Sequence, residues 1–176
     1  MNEEKFALSI LVANESGVLT RVSGLFGRRG YNIDSLSVGE TEDPALSRIT
    51  VVSRGDKPTQ DQIIKQLQKL VDVKSVTLLD WNNTVFRELM LVKVNAEMAT
   101  RAQIHQIAEV FRAKVVDLST SAMTLEITGE NPKLDAFVSN LVPYGILELC
   151  RTGMTALSRH ANTNKTYESE EELKWQ

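Results

Sequence analysis

Apolar residues alternate with small or polar ones from Phe6 to Ala13, with Phe6, Leu8, Ile10 and Val12 on one side and Ala7, Ser9, Leu11 and Ala13 on the other. A period of two predicts a half-buried strand. Asn14-Glu15-Ser16-Gly17 interrupts it, and Val18, Leu19, Val22, Leu25 and Phe26 then recur at helical spacing, with Arg21, Arg28 and Arg29 off the stripe. That predicts a helix over about 17–29, capped by Asn14 or Ser16 and stopped by Gly30. Between Tyr31 and Gly39 the alternation is looser, Thr41-Glu42-Asp43-Pro44 reads as a turn, and Ile49, Val51 and Val52 form the next strand. A second helix opens at Lys57-Pro58-Thr59 and carries Ile63, Ile64, Leu67 and Leu70. Val73, Val76 and Leu78 then complete a β-α-β-β-α-β order.

The pattern repeats. Leu89, Leu91, Val92 and Val94 make a strand, and Ile104, Ile107, Val110 and Phe111 match Leu19, Val22, Leu25 and Phe26 at a constant shift of 85. Met123, Leu125 and Ile127 match Ile49, Val51 and Ser53 at a shift of 74, as do Gly129-Glu130-Asn131-Pro132 and Gly55-Asp56-Lys57-Pro58. Phe137, Val138 and Leu141 likewise match Ile63, Ile64 and Leu67. The first unit therefore carries 85 − 74 = 11 extra residues, placed between Tyr31 and Leu46. Binding residues concentrate on such extensions of a rigid scaffold.

The fold class is α+β: two tandem ferredoxin-like βαββαβ units, with antiparallel sheets and helices on one face. The units are expected over residues 4–80 and 85–159, divided by Asp80-Trp81-Asn82-Asn83-Thr84, with 160–176 as a mobile acidic tail. A sheet face left open by its helices favours association, so at least a dimer is expected.

Composition narrows the function. The 176 residues are 42% hydrophobic and 24% charged, with a net charge of −3. A slightly acidic chain lacks the positive field that would neutralise phosphates or anionic lipid. No apolar run approaches the ~20 residues of a membrane span, and Met1-Asn2-Glu3-Glu4-Lys5 has no basic leader, so a cytoplasmic location is expected. Cys150 and only two histidines, His105 and His160, leave no metal-ligand cluster. Cys150 reads as a small buried side chain of the last strand, and His105 as a surface residue. Gly24, Gly27 and Gly30 lie in and at the end of a helix, where they allow close packing but cannot cradle a phosphate. No catalytic nucleophile, base or carboxylate pair stands out.

One constellation suits a small ligand. A turn at Asn14-Glu15-Ser16-Gly17-Val18-Leu19 presents free N–H groups at a helix start, where a carboxylate is favoured by hydrogen bonds and by the dipole. Asn32 carries donors and an acceptor suited to an amino acid's two charged groups. Taken alone, these residues read as helix capping in preference to a ligand site.

The segments Asn14-Glu15-Ser16-Gly17-Val18-Leu19-Thr20-Arg21-Val22, Arg29-Gly30-Tyr31-Asn32-Ile33-Asp34-Ser35-Leu36 and Leu46-Ser47-Arg48 closely resemble the small regulatory subunit of acetolactate synthase. The likeness extends through Arg87-Glu88-Leu89-Met90-Leu91-Val92-Lys93-Val94 and Leu134-Asp135-Ala136-Phe137 to Arg151-Thr152-Gly153, covering about residues 4–159. It implies that the first unit is an ACT domain and that chemistry belongs to a large catalytic subunit holding thiamine diphosphate, Mg²⁺ and FAD. It further implies a homodimer through ACT domains, activation of that catalytic subunit, and feedback inhibition by a branched-chain amino acid, chiefly valine, bound between two chains. On this resemblance Gly17, Val18 and Leu19 donate backbone N–H groups to the effector carboxylate, Asn14 and Asn32 add side-chain bonds, and Ile33 lines the apolar part.

Three rivals remain at this stage. An enzyme in its own right lacks a visible catalytic set, and an RNA-recognition module lacks sheet aromatics, its central strand positions being Ile49, Val51, Met123 and Leu125. A free-standing amino-acid sensor acting on another enzyme is the serious alternative.

Overall fold

The computed structural model describes residues 4–159 and 165–168. Its chain divides into two compact units, one formed by residues 1–85 with 154–176 and the other by residues 86–153. The first runs β1 (Glu4–Ala13), α1 (Val18–Arg28), β2 (Ile33–Glu40), β3 (Leu46–Gly55), α2 (Lys57–Leu67) and β4 (Val73–Leu79). After β5 (Thr84–Asn95), the second continues with α3 (Arg101–Phe111), β6 (Lys114–Leu118), β7 (Ala122–Gly129), α4 (Asn131–Leu141) and β8 (Ile146–Arg151). β9 (Thr155–Ser158) and β10 (Lys165–Glu168) return to the first unit.

Each unit builds the expected antiparallel sheet. The first has the order β10-β4-β1-β3-β2 and the second β6-β7-β5-β8. In the first, Phe6, Leu8, Ile10 and Val12 of β1 and Ile49 and Val51 of β3 meet Val22, Phe26, Ile63, Ile64 and Leu67 of the two helices in one core. In the second, Met90, Val92 and Val94 meet Ile104, Leu134, Phe137 and Leu141 in the equivalent core. The repeat thus reflects two separate cores, each with helices on one face of its sheet. The first unit is longer in the region its sequence indicated, β2 having eight residues where β6 has five, but α1 and α3 are offset by 83 residues and not 85, so the excess is smaller than the 11 expected.

Several expectations change. β1 is buried on both faces, because Ala7 and Ser9 are as inaccessible as the core side chains, and so are Thr50 and Val52 beside them on β3. On this face Ser35 Oγ accepts from the Met154 amide at 2.7 Å and Ser37 Oγ donates to the Met154 carbonyl at 2.8 Å. The small side chains of Ala7, Ser9, Ser35 and Ser37 thus belong to a covered surface, so the first unit has no open face to argue for association, whereas the paired Leu91 and Cys150 are exposed on that face of the second. A Cβ on Gly24 or Gly27 would meet nothing within 4 Å, so neither glycine serves close packing. Val110 matches Leu25 in the repeat yet is 79% exposed, whereas Leu25 is buried. Cys150 is exposed, since it lies on β8 at the sheet edge.

In the stretch read as a tail, Lys165–Glu168 form a strand paired with β4. Its Glu-rich composition hid the apolar ring of Tyr167, which packs against the first core. The rest of 160–176 lies outside the described residues. Among the described residues no helix is long and apolar enough to cross a membrane.

Candidate functional site

The turn between β1 and α1 is set by glycine. Gly17 is the N-cap of α1 with φ 84°, a left-handed conformation that side-chain-bearing residues rarely adopt, and no side chain caps the helix. Neither Asn14 nor Ser16 performs the expected capping. Asn14 instead turns towards the β2–β3 hairpin: its Nδ2 donates to the Pro44 carbonyl at 2.9 Å and to Glu40 Oε2 at 3.3 Å, and its Oδ1 accepts from Ser47 Oγ at 3.0 Å. Its backbone N–H donates to the Ala45 carbonyl at 2.7 Å. The extension of the first unit therefore holds the turn in place.

With Asn14 occupied there, the helix start keeps its donors. Among the described residues the amides of Gly17, Leu19 and Thr20 meet no acceptor, and that of Val18 reaches only the Glu15 carbonyl at 3.4 Å. Unpaired N–H groups and the positive end of the helix dipole together favour an anion. The first turn contains no acidic residue that would fill that role. Arg21, one turn on, adds a guanidinium whose Nη1 lies 3.1 Å from where a Gly17 Cβ would stand. Its Nε bonds Asp72 Oδ2 at 2.5 Å, and this bond raises the guanidinium pKa further above its ordinary value. The side chain of Val18 is buried in the core, so only its amide faces outward, while Leu19 is 39% exposed.

Asn32 and Ile33 lie elsewhere. Ile33 pairs with Ser53 of β3, whereas Ala13 pairs with Leu46 at the opposite end of that strand. The seven-residue separation along β3, at ~3.3 Å per residue, amounts to about 23 Å. Asn14, Gly17, Val18 and Leu19 are thus brought together at one end of the sheet, and within one chain Asn32 and Ile33 are not. Asn32 is exposed; its Nδ2 donates to Asp34 Oδ1 at 2.7 Å and its carbonyl accepts from Ser53 Oγ at 2.6 Å. Arg54 Nε donates to Asp34 Oδ2 at 2.7 Å, and this bond above all holds the Asp34 carboxyl below its ordinary range.

The first unit has a cavity of about 450 Å³ beside Lys5, Phe6, Lys57, Leu79, Trp81 and Lys165, and none of the six candidate residues lines it. The sequence reading missed Glu40, Pro44, Ser47 and Asp72, which fix the turn from distant segments. The extra length of the hairpin signalled the first three, and nothing in the sequence signalled Asp72. Among the described residues no group of three or more histidine, cysteine or acidic side chains could hold a metal. His105 is exposed on α3, 3.7 Å from Glu109.

Known proteins are similar to this chain over most of its length. The family model described as the small subunit of acetolactate synthase matches residues 87–160, and that described as an AHAS small subunit-like ACT domain matches residues 8–75. The acetolactate synthase small subunit of Mycolicibacterium smegmatis is 48% identical over 152 residues, covering 86% of this chain and 89% of the relative. Acetolactate synthase small subunit 2, chloroplastic, of Arabidopsis thaliana is 46% identical over 160 residues, 91% of this chain and 34% of the longer plant protein. The crystal structure of the acetolactate synthase small subunit from Thermotoga maritima has a TM-score of 0.84 and 42% identity, covering 89% of this chain and 98% of that one. This chain therefore belongs to the acetolactate synthase small-subunit family, with an ACT domain as its first unit.

Proposed function

We propose that this chain activates the catalytic subunit of acetolactate synthase and makes it sensitive to valine, whose carboxylate takes the backbone amides of Gly17, Val18 and Leu19. The observation that carries the reading is the uncapped start of α1, with open donors, no acidic residue in its first turn and Arg21 close by. Thiamine diphosphate, Mg²⁺ and FAD belong to the catalytic partner, and this chain supplies regulation of branched-chain amino-acid synthesis.

The separation of Asn32 from Asn14 supports a site shared by two chains. β2 is the outermost strand of its sheet, opposite the edge filled by β10. Two copies related by a two-fold axis and joined edge to edge at β2 would pair antiparallel, bringing the start of one β2 beside the end of the other. In that arrangement Asn32 and Ile33 of one chain approach Glu40, Asn14 and the α1 start of its mate. Asn14 then orients the turn, Asn32 bonds the effector's polar end, and Ile33 lies against its side chain.

An effector changes activity only through different affinity for two states. Valine held across two chains favours the paired orientation that activates the catalytic subunit less, with a coupling of about 1–3 kcal/mol, typical of allostery. The test is acetolactate formation by the catalytic subunit, alone and with this chain, at rising valine. Activation that valine reverses is expected; activation insensitive to valine would remove the effector assignment, and no activation would remove the regulatory one.

A further inference from the structure

β4, Val73-Lys74-Ser75-Val76-Thr77-Leu78-Leu79, has one charge and is otherwise rich in strand-forming residues. An uncovered strand of this kind offers a row of unpaired N–H and C=O groups to another chain. β10 occupies that edge, with Lys165, Thr166, Tyr167 and Glu168 opposite Leu78, Thr77, Val76 and Ser75. Side chains reinforce the ladder. Tyr167 packs against the first core, the Thr77 and Thr166 hydroxyls are 3.0 Å apart, and Gln68 Nε2 donates to the Glu168 carbonyl at 2.6 Å. Lys165 Nζ lies 4.7 Å from the centre of the Tyr167 ring. Both family-model matches end by residue 160, ahead of this strand.

We propose that β10, anchored by Tyr167, is an edge cap that prevents a second copy of this chain from pairing through β4. A near-neutral strand pairs readily with a copy of itself, and the cap leaves β2 as the open edge of the sheet. The inference stands independently of the effector site.

The test uses the full chain and its Tyr167→Asp variant, which sets a carboxylate against the core in place of the ring. Hydrogen exchange at low concentration is expected to show residues 75–78 protected in the wild type and less protected in the variant. At higher concentration the variant's mean mass in sedimentation is expected to rise at least twofold over the wild type and to keep rising with concentration, because a dimer joined at β2 presents two uncovered β4 edges. A further Thr77→Lys change, which charges the uncovered edge, is expected to return the mass to the wild-type value. Unprotected residues 75–78 in the wild type, or protection unchanged in Tyr167→Asp, would overturn the anchored cap. A variant that loses protection without gaining mass, or that stays heavy after Thr77→Lys, would overturn the blocking role.

Discussion

Arg21 and Asp72 are joined at 2.5 Å across 51 residues of sequence, and the same Asp72 accepts the Ala13 amide at its carbonyl at 2.8 Å. A single residue directly before β4 thus ties together the end of β1 and the first turn of α1, on either side of the Asn14–Gly17 turn. The geometry of the free amides therefore rests on contacts distant in sequence.

Gly17 is the position least tolerant of change. Any side chain there meets a left-handed φ, which costs roughly 1–2 kcal/mol, and crowds Arg21 at 3.1 Å. Gly17→Asp also directs a carboxylate towards the amides intended for valine. Valine inhibition is expected to disappear with activation retained, measured as acetolactate formation with the catalytic subunit. Gly17→Ala, which brings the strain without the charge, is expected to raise the valine concentration needed while leaving inhibition attainable. If Gly17→Asp were inhibited at wild-type valine concentrations, the carboxylate would bind elsewhere.

Asn32→Ala removes a side chain exposed to solvent and bonded to Asp34 alone among side chains. Its effect on stability is expected within about 0.5 kcal/mol, as for surface changes that leave buried groups paired. Valine affinity by calorimetry is expected to fall roughly tenfold, the scale of one hydrogen bond to a charged group. Unchanged affinity would take Asn32 out of the site.

Much of this was legible because it is local. Both units and most strand and helix positions follow from periodicity, whereas the turn was read as capped by Asn14 or Ser16 and is instead set by the positive φ of Gly17. The destination of the Asn14 side chain was not, because Pro44 and Glu40 compete for it from a hairpin about thirty residues away. Nor was the distance between Asn14 and Asn32, which depends on β1 and β2 lying on either side of β3, a property of sheet order. Val110 shows the same limit: a shift of 85 set it opposite Leu25, but the buried stripe of α3 runs through Ile104 and Ala108 with Ile107 and Phe111 beside it, which leaves Val110 on the solvent side. β10 was hidden by composition, since one tyrosine and a strand edge outweigh the surrounding glutamates.

Asp34 supplies a pH dependence whose sign is fixed. Bonds from Arg54 and Asn32 lower its folded pKa against the push of burial, so the ionised form stabilises the fold. That contribution is present above the unfolded value of about 3.9 and is lost as pH falls through the folded value. Because Arg54 is exposed, it is expected to stay below about 1 kcal/mol. In Asp34→Asn the fall of the denaturant midpoint between about pH 5 and pH 3 should be shallower than in the wild type. Parallel curves would show that the pair contributes nothing measurable.

Whether the effector site is shared can be decided by mixing two defective chains. Gly17→Asp spoils the amide half and keeps Asn32; Asn32→Ala does the reverse. If both halves came from one chain, every site in a mixture would contain a defect and no valine binding would return. If each site joins the α1 start of one chain to Asn32 of another, a mixed dimer has one intact site and one doubly defective site. Random pairing of equal amounts makes about half the dimers mixed, so about a quarter of the wild-type number of sites should return. Unfolding and refolding the mixture allows exchange, and calorimetry then gives the stoichiometry of tight binding. The 23 Å or so between the two halves within one chain favours the quarter, and no recovery after verified exchange would place both halves in one chain and overturn the shared site.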